Sequence, residues 1–157
     1  MTEYRQGRPA VISGLFWLTI ATGFCLPGLV EILTARFRHG AAWGVAAADW
    51  WSHLFLPGYN GFLLASIQAV PFVAFAVFNL FRLTRGWDAG DNIFRTRLTA
   101  AIVGLACGGS LSLGGLVSIA ASSSSTSAIG YLFLPLPVSF VLIVGYFVGM
   151  LLGLRRG

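Results

Sequence analysis

Four long apolar segments dominate the chain, and shorter polar stretches separate them. They cover about residues 9–33, 61–81, 98–121 and 128–154. Each is long enough for an α-helix to cross the roughly 30 Å hydrocarbon core of a bilayer. The pattern therefore predicts an all-α integral membrane protein, in which a single domain of residues 1–157 forms an up-down bundle of four transmembrane helices.

The longest connection, residues 34–60, interleaves alanines with tryptophans and charged residues. Tryptophan prefers the headgroup depth of a bilayer, and an unstructured loop of this length is uncommon. These features predict a helix lying in the membrane interface at about residues 41–56. On such a helix Asp49 and His53 share one face because they are four residues apart. With Glu31, near the end of the first crossing, they form a candidate outer polar cluster.

The composition supports this interpretation and argues against a soluble protein. Of the 157 residues 57% are hydrophobic and only 10% are charged, which is outside the usual range of a soluble domain. The net charge of +5 comes from arginines that lie between the apolar segments. A nucleic-acid-binding protein needs a contiguous basic surface, so we expect no nucleic-acid partner.

The distribution of arginines predicts the orientation. The long loop after the first crossing contains two arginines, Arg36 and Arg38. The other eight lie near the two termini or in residues 82–97. The positive-inside rule then places both termini in the cytoplasm, with the chain in the cell (inner) membrane. Glu31, Asp49 and His53 are expected on the outer face.

Glycines mark the predicted contact between the last two crossings. Gly145, Gly149 and Gly153 repeat every four residues, as do Gly104 and Gly108 in the preceding crossing. Small residues let two helix backbones approach closely in lipid. In an antiparallel hairpin we expect Gly104 to lie level with Gly149, and Gly108 level with Gly145. The ridge of the third crossing is expected to continue through three further small residues, Ser110, Gly114 and Ser118. A second interpretation is that one ridge faces another subunit.

Two polar residues interrupt the second crossing. Gln68 lies near its middle, three residues before Pro71, and Asn79 lies near its end. Polar side chains at these depths turn towards other helices or line a transport path. We expect the first role, with Pro71 freeing a backbone carbonyl that Gln68 or a neighbour satisfies.

Known cofactor and metal motifs are not found in the sequence. No crossing contains a histidine, as a membrane haem would require. The spacings of Glu31, His39, Asp49 and His53 match no metal-ligand pattern. Asp88 and Asp91 lie among arginines that are expected to neutralise them. We therefore expect no cofactor and no metal.

These observations favour a non-catalytic membrane subunit or accessory protein that packs within a larger membrane complex. The expected partners are membrane lipids and other membrane-protein subunits, or a second copy in a homo-oligomer. Three alternatives stay open at this stage: a small homo-oligomeric transporter or channel lined by Gln68, Asn79 and serines of the third crossing, a membrane enzyme acting through the outer polar cluster, and a membrane immunity or defence protein.

Overall fold

The described residues form six helices, and among them four helical stretches are long and apolar enough to cross a membrane. The computed structural model describes residues 7–57, 60–85, 90–122 and 127–155. The helices are α1 (Arg8–Arg38), α2 (Trp43–His53), α3 (Gly61–Thr84), α4 (Asp91–Ala121), α5 (Ser127–Phe133) and α6 (Pro135–Leu154). The spans are α1, α3, α4 and the stretch Ile129–Leu154. The predicted all-α architecture with four membrane helices is confirmed.

Two helices extend beyond their apolar segments. The first span was expected to end near residue 33, but α1 continues to Arg38; α4 begins at Asp91 rather than near residue 98. Hydropathy marks where a helix leaves hydrocarbon and not where its hydrogen bonding stops, so polar turns continue into the interface. After α1 the chain turns at Gly40, whose φ of +69° suits a residue without a Cβ atom.

The helix expected at about residues 41–56 is present as α2, Trp43–His53. The end of α2 lies beside the start of α3, because the Phe62 amide donates to the Leu54 carbonyl at 3.0 Å. The Asn60 side chain caps α3 by accepting from the Leu63 amide at 2.9 Å. These bonds fix the position of α2 at the start of the second span.

Pro135 divides the last span. The chain makes a turn at Leu134 between α5 and α6, and Pro135 occupies the first turn of α6. Proline has no amide hydrogen to donate, so it is tolerated at the start of a helix and interrupts a helix elsewhere. Pro27 lies within α1, which continues through it.

The bundle consists of two hairpins packed together. In the first, α1 packs along α3; in the second, α4 packs along α6. The hairpins meet where α1 contacts α4 and where α3 contacts α6. Phe72, Leu116 and Leu142 are each 1% exposed and belong to the main buried cluster. Lipid is as apolar as these side chains, so close packing rather than exclusion of water stabilises the bundle.

Glycines of α6 lie directly against the backbone of α4. A Cβ atom at Gly145 would lie 3.0 Å from the Gly104 Cα, and one at Gly149 would lie 2.7 Å from the Ala100 Cα. A Cβ atom at Gly153 would lie 2.8 Å from the Thr96 Cα. Real Cβ atoms essentially never come within 3.0 Å of such atoms, so only glycine fits at Gly149 and Gly153 without a shift of the backbone, and the contact at Gly145 lies at this limit.

The expected register of this hairpin is wrong by one helical turn. Gly104 faces Gly145 and not Gly149, and Gly108 receives the Leu142 side chain. Matching the helices by their apolar lengths ignored two other small α4 residues, Ala100 and Thr96. Both find a glycine opposite them when α6 is shifted by a turn, so the contact is longer than the glycines of α4 alone indicated.

The ridge expected to continue from Gly104 and Gly108 instead turns away from α6. Gly114 is exposed, and apart from its chain neighbours and the adjacent backbone of α4, no described atom lies within 4 Å of where its Cβ would be. A step of four residues advances about 40° around a helix, so small residues at this spacing spiral from one face to the next. The exposed residues Ala106, Ser110, Gly114 and Val117 are termed the outward face of α4.

Candidate functional site

The three residues of the outer polar cluster lie together in the structure. His53 Nδ1 is 3.5 Å from Glu31 Oε1, and His53 Nε2 is 3.9 Å from Asp49 Oδ1. The side chains of His53 and Glu31 are about two-thirds buried, whereas 63% of the Asp49 side chain is exposed. The imidazole therefore lies between a sheltered carboxylate on α1 and an exposed carboxylate on α2.

Packing of α2 against α1 positions this cluster. Ala46, Trp50 and His53 share one face of α2, and Ala46 is 2% exposed. The Trp50 ring lies on Gly28 of α1, where a Cβ atom would come within 2.5 Å of the ring. Glu31 follows Gly28 by three residues and so shares its face of the helix. An aromatic contact and a polar contact thus hold α2 at neighbouring points along α1.

The geometry of the cluster suits ion pairing better than metal binding. The two carboxylates approach different nitrogens of one ring, so their oxygens lie apart and do not converge on a common point. Across the described parts of the chain, no group of three His, Cys, Asp or Glu residues is arranged to hold a metal ion. A protonated His53 would pair with both acids and draw α2 towards α1.

The hydroxyl group of Ser52, on α2, forms its hydrogen bond with the backbone of that helix. Ser52 Oγ donates to the Asp49 carbonyl oxygen at 2.7 Å. Nucleophilic catalysis requires a hydroxyl within hydrogen-bond reach of its base, and Ser52 is held towards its own helix instead. The arrangement of these residues therefore supports a contact that holds α2 on α1 more directly than a reaction centre.

Gln68 and Asn79 are both buried and both donate to backbone carbonyls. Gln68, 2% exposed, donates through Nε2 to the Tyr131 carbonyl and so joins α3 to α5. Asn79, 3% exposed, donates through Nδ2 to the Phe75 carbonyl of its own helix at 2.8 Å. The two residues are separated by roughly 16 Å along α3. They therefore lie far apart in the membrane and use their amides within the bundle.

Another ion pair closes the opposite end of the bundle. Arg8, at the start of α1, pairs with Asp91 at the start of α4, and its guanidinium lies 4.7 Å from the centre of the Phe94 ring. Asp91 was expected to be neutralised by arginines of its own connection, but it pairs with an arginine from the beginning of the chain. Asp88 lies outside the described residues.

Sequence reasoning identified the charged members of the outer cluster and missed the contact beneath them. No contact was predicted for Gly28, and Trp50 was interpreted only as one of the tryptophans of the membrane interface. A usable signal was present: Gly28 precedes Glu31 by three residues, and Trp50 precedes His53 by three. Equal spacing on two helices brings both pairs into register when the helices pack side by side.

Comparison with known proteins provides no relative from which a function could be transferred. No protein-family model, no curated protein and no solved structure matches this chain. The functional proposals below therefore depend on its own residues.

Proposed function

We propose that this protein is a non-catalytic subunit or accessory protein that binds another membrane protein through the outward face of α4. The observation that carries the proposal is the open surface at Gly114, where no other residue lies within 4 Å of the Cβ position. Ser110 and Ala106 continue this small-residue surface along the helix. Small outward-facing residues allow a helix of another protein to approach the backbone of α4 closely.

The contrast between the two faces of α4 supports this interpretation. Towards α6, a Cβ atom at Gly104 would lie 2.9 Å from the Leu142 carbonyl oxygen, and one at Gly108 would lie 2.4 Å from the Leu142 side chain. Towards lipid, Gly114 has the same small shape and no protein neighbour. Helices in a membrane gain most from van der Waals contact, and a small-residue surface offers more of it to a helix than to disordered acyl chains.

The buried polar groups also favour a non-catalytic role. Gln68 and Asn79 donate to backbone carbonyls, and Thr19 Oγ1 donates to the Leu15 carbonyl at 2.7 Å. Such bonds hold helices in place and leave fewer donors for a substrate. The outer polar cluster is explained as the contact that holds α2 on α1.

Co-purification tests this function. We expect the parent chain, extracted from its native membrane in mild detergent, to retain a distinct membrane protein, and Gly114→Leu to lose it because the leucine fills the small surface. Gly14→Leu is the matched control, since Gly14 is an exposed glycine of α1 with no neighbour within 4 Å. Retention of the partner by Gly114→Leu, or loss by both variants, would contradict the proposal. A particle containing only copies of this chain would assign the surface to a homo-oligomer.

We further propose that the protein lies in the cell (inner) membrane and that both of its termini are cytoplasmic. In this orientation eight arginines lie on the cytoplasmic side and two on the outer side, in agreement with the positive-inside rule. In a variant with Cys25 and Cys107 replaced by alanine, we expect a membrane-impermeant maleimide to label Ser52→Cys in intact cells or spheroplasts. Thr84→Cys, equally exposed but at the other end of the bundle, should react only after permeabilisation. The reverse labelling pattern would show the opposite orientation.

A further inference from the structure

An apolar groove separates α3 from α6 on the lipid-facing side of the bundle. It encloses about 570 Å³, and its wall is almost entirely hydrocarbon. The apolar residues that line it include Pro71, Ala74, Phe75, Phe78, Ile143 and Phe147. The polar lining residues are Arg82, Ser139 and Tyr146. We term this cavity the α3–α6 groove.

The groove has the dimensions of one lipid chain in one leaflet. Its walls run from Pro71 to Arg82 on α3 and from Ser139 to Met150 on α6, and each wall is roughly 16 Å long. Half of the hydrocarbon core measures about 15 Å.

Two polar atoms at one end of the groove are buried and unsatisfied. Arg82 Nε and the Tyr146 hydroxyl have no hydrogen-bond partner among the residues that the structure describes. Tyr146 is only 4% exposed, so water does not readily replace the missing partner. A buried polar group left unpaired is costly, which favours a ligand that supplies acceptors at this end.

The charge at this end is positive. The Arg97 guanidinium donates to the Arg82 backbone carbonyl at 2.7 Å, which brings a second cation beside Arg82. No carboxylate lines the groove in the described parts of α3 and α6. A basic pocket between helices at the membrane surface attracts anionic headgroups.

We infer that the α3–α6 groove binds one anionic phospholipid, whose phosphate contacts Arg82 and whose acyl chain lies along the groove. The Tyr146 hydroxyl donates to an ester carbonyl of this lipid. Tyr146 lies one turn, roughly 6 Å, deeper than Met150. This matches the order of a phospholipid, in which the ester carbonyls lie just inside the phosphate. A zwitterionic lipid carries the same phosphate, but its cationic group would be repelled by Arg82 and Arg97.

Native mass spectrometry of the full chain in mild detergent tests the site, with dioleoyl phosphatidylglycerol and dioleoyl phosphatidylcholine as probes. We expect one phosphatidylglycerol to bind roughly tenfold more tightly than phosphatidylcholine, because the ammonium group of phosphatidylcholine would be repelled by Arg82 and Arg97. Arg82→Gln should remove this preference. Arg85→Gln should keep it, because Arg85 is exposed and does not line the groove.

A second variant tests the acyl chain independently of the charge. Ala74→Phe places a ring in the groove and leaves Arg82 intact, so it should weaken phosphatidylglycerol binding by a similar factor. Equal binding of the two lipids by the parent would overturn the inference, as would tight phosphatidylglycerol binding by both Arg82→Gln and Ala74→Phe. Displacement of the lipid by inorganic phosphate alone would show a headgroup site with no chain in the groove and would also overturn it.

Discussion

Replacing Gly149 by leucine should separate α4 from α6 and leave little folded protein in mild detergent. A Cβ atom at this position would lie 2.7 Å from the Ala100 Cα and 3.0 Å from the Thr99 carbonyl oxygen. Both neighbours are backbone atoms of a helix, so neither can move without moving α4. Overpacking typically costs about 1 to 3 kcal/mol, and the rigid backbone opposite Gly149 places Gly149→Leu at the upper end of this range, so that even Gly149→Ala should be damaging. The folded fraction after extraction and mild heating, measured by size-exclusion chromatography, gives the result.

Gly114→Leu is the matched control for this prediction. It adds the same side chain to the facing helix, at a glycine with no neighbour within 4 Å. The isolated chain should therefore lose less than about 0.5 kcal/mol of stability. Equal stability of Gly149→Leu and the parent would show that α4 and α6 do not meet at Gly149.

Replacing Gly28 by valine should release α2 from α1 while the four spans stay packed. The added Cβ atom would come within 2.5 Å of the Trp50 ring, which must move away. Trp50 is a half-buried side chain and can move outwards, unlike the backbone opposite Gly149. Its displacement also carries His53 away from Glu31 and so removes both contacts that hold α2.

Hydrogen exchange of residues 43–53 measures this release. We expect their amides to exchange roughly tenfold faster or more in Gly28→Val, which corresponds to about 1.4 kcal/mol of lost protection. Gly14→Val is the control, because Gly14 lies in the same helix and has no neighbour within 4 Å. Unchanged exchange of α2 in Gly28→Val would mean that Trp50 does not hold it in place.

The four spans follow from the sequence because the bilayer imposes a single strong requirement. A stretch of apolar residues long enough to cross hydrocarbon must satisfy its backbone internally, and the α-helix does so without any partner. The pairing of Asp49 with His53 is equally local, since a spacing of four residues brings side chains together on any helix. Neither conclusion needs to know how one helix lies against another.

Relations between helices were harder to predict. The contact of Glu31 with His53 depends on how α2 lies against α1, and it is held in part by Trp50 on Gly28. The one-turn error at Gly149 arose in the same way, because the register of α4 on α6 depends on Ala100 and Thr96 as much as on glycine. The sequence showed that small residues were present but not which surfaces they would meet.

Gly114 illustrates why a motif and its environment must be considered together. In sequence it continues the glycines of the third crossing, whereas in the structure it lies on a different face of α4 and has open space beside it. The same residue type therefore closes the bundle at Gly104 and leaves a surface for association at Gly114. The proposed role as a membrane subunit depends on that difference.

Site-specific photocrosslinking from the outward face of α4 tests this role most directly. A photoreactive amino acid replaces Val117, which is 49% exposed beside Gly114, or Val70, which is 62% exposed on α3, and native membranes are irradiated before extraction. We expect position 117 to form an adduct with a second membrane protein and position 70 to react with lipid alone. Lipid adducts alone at position 117 would contradict the proposal that this face of α4 binds another membrane protein.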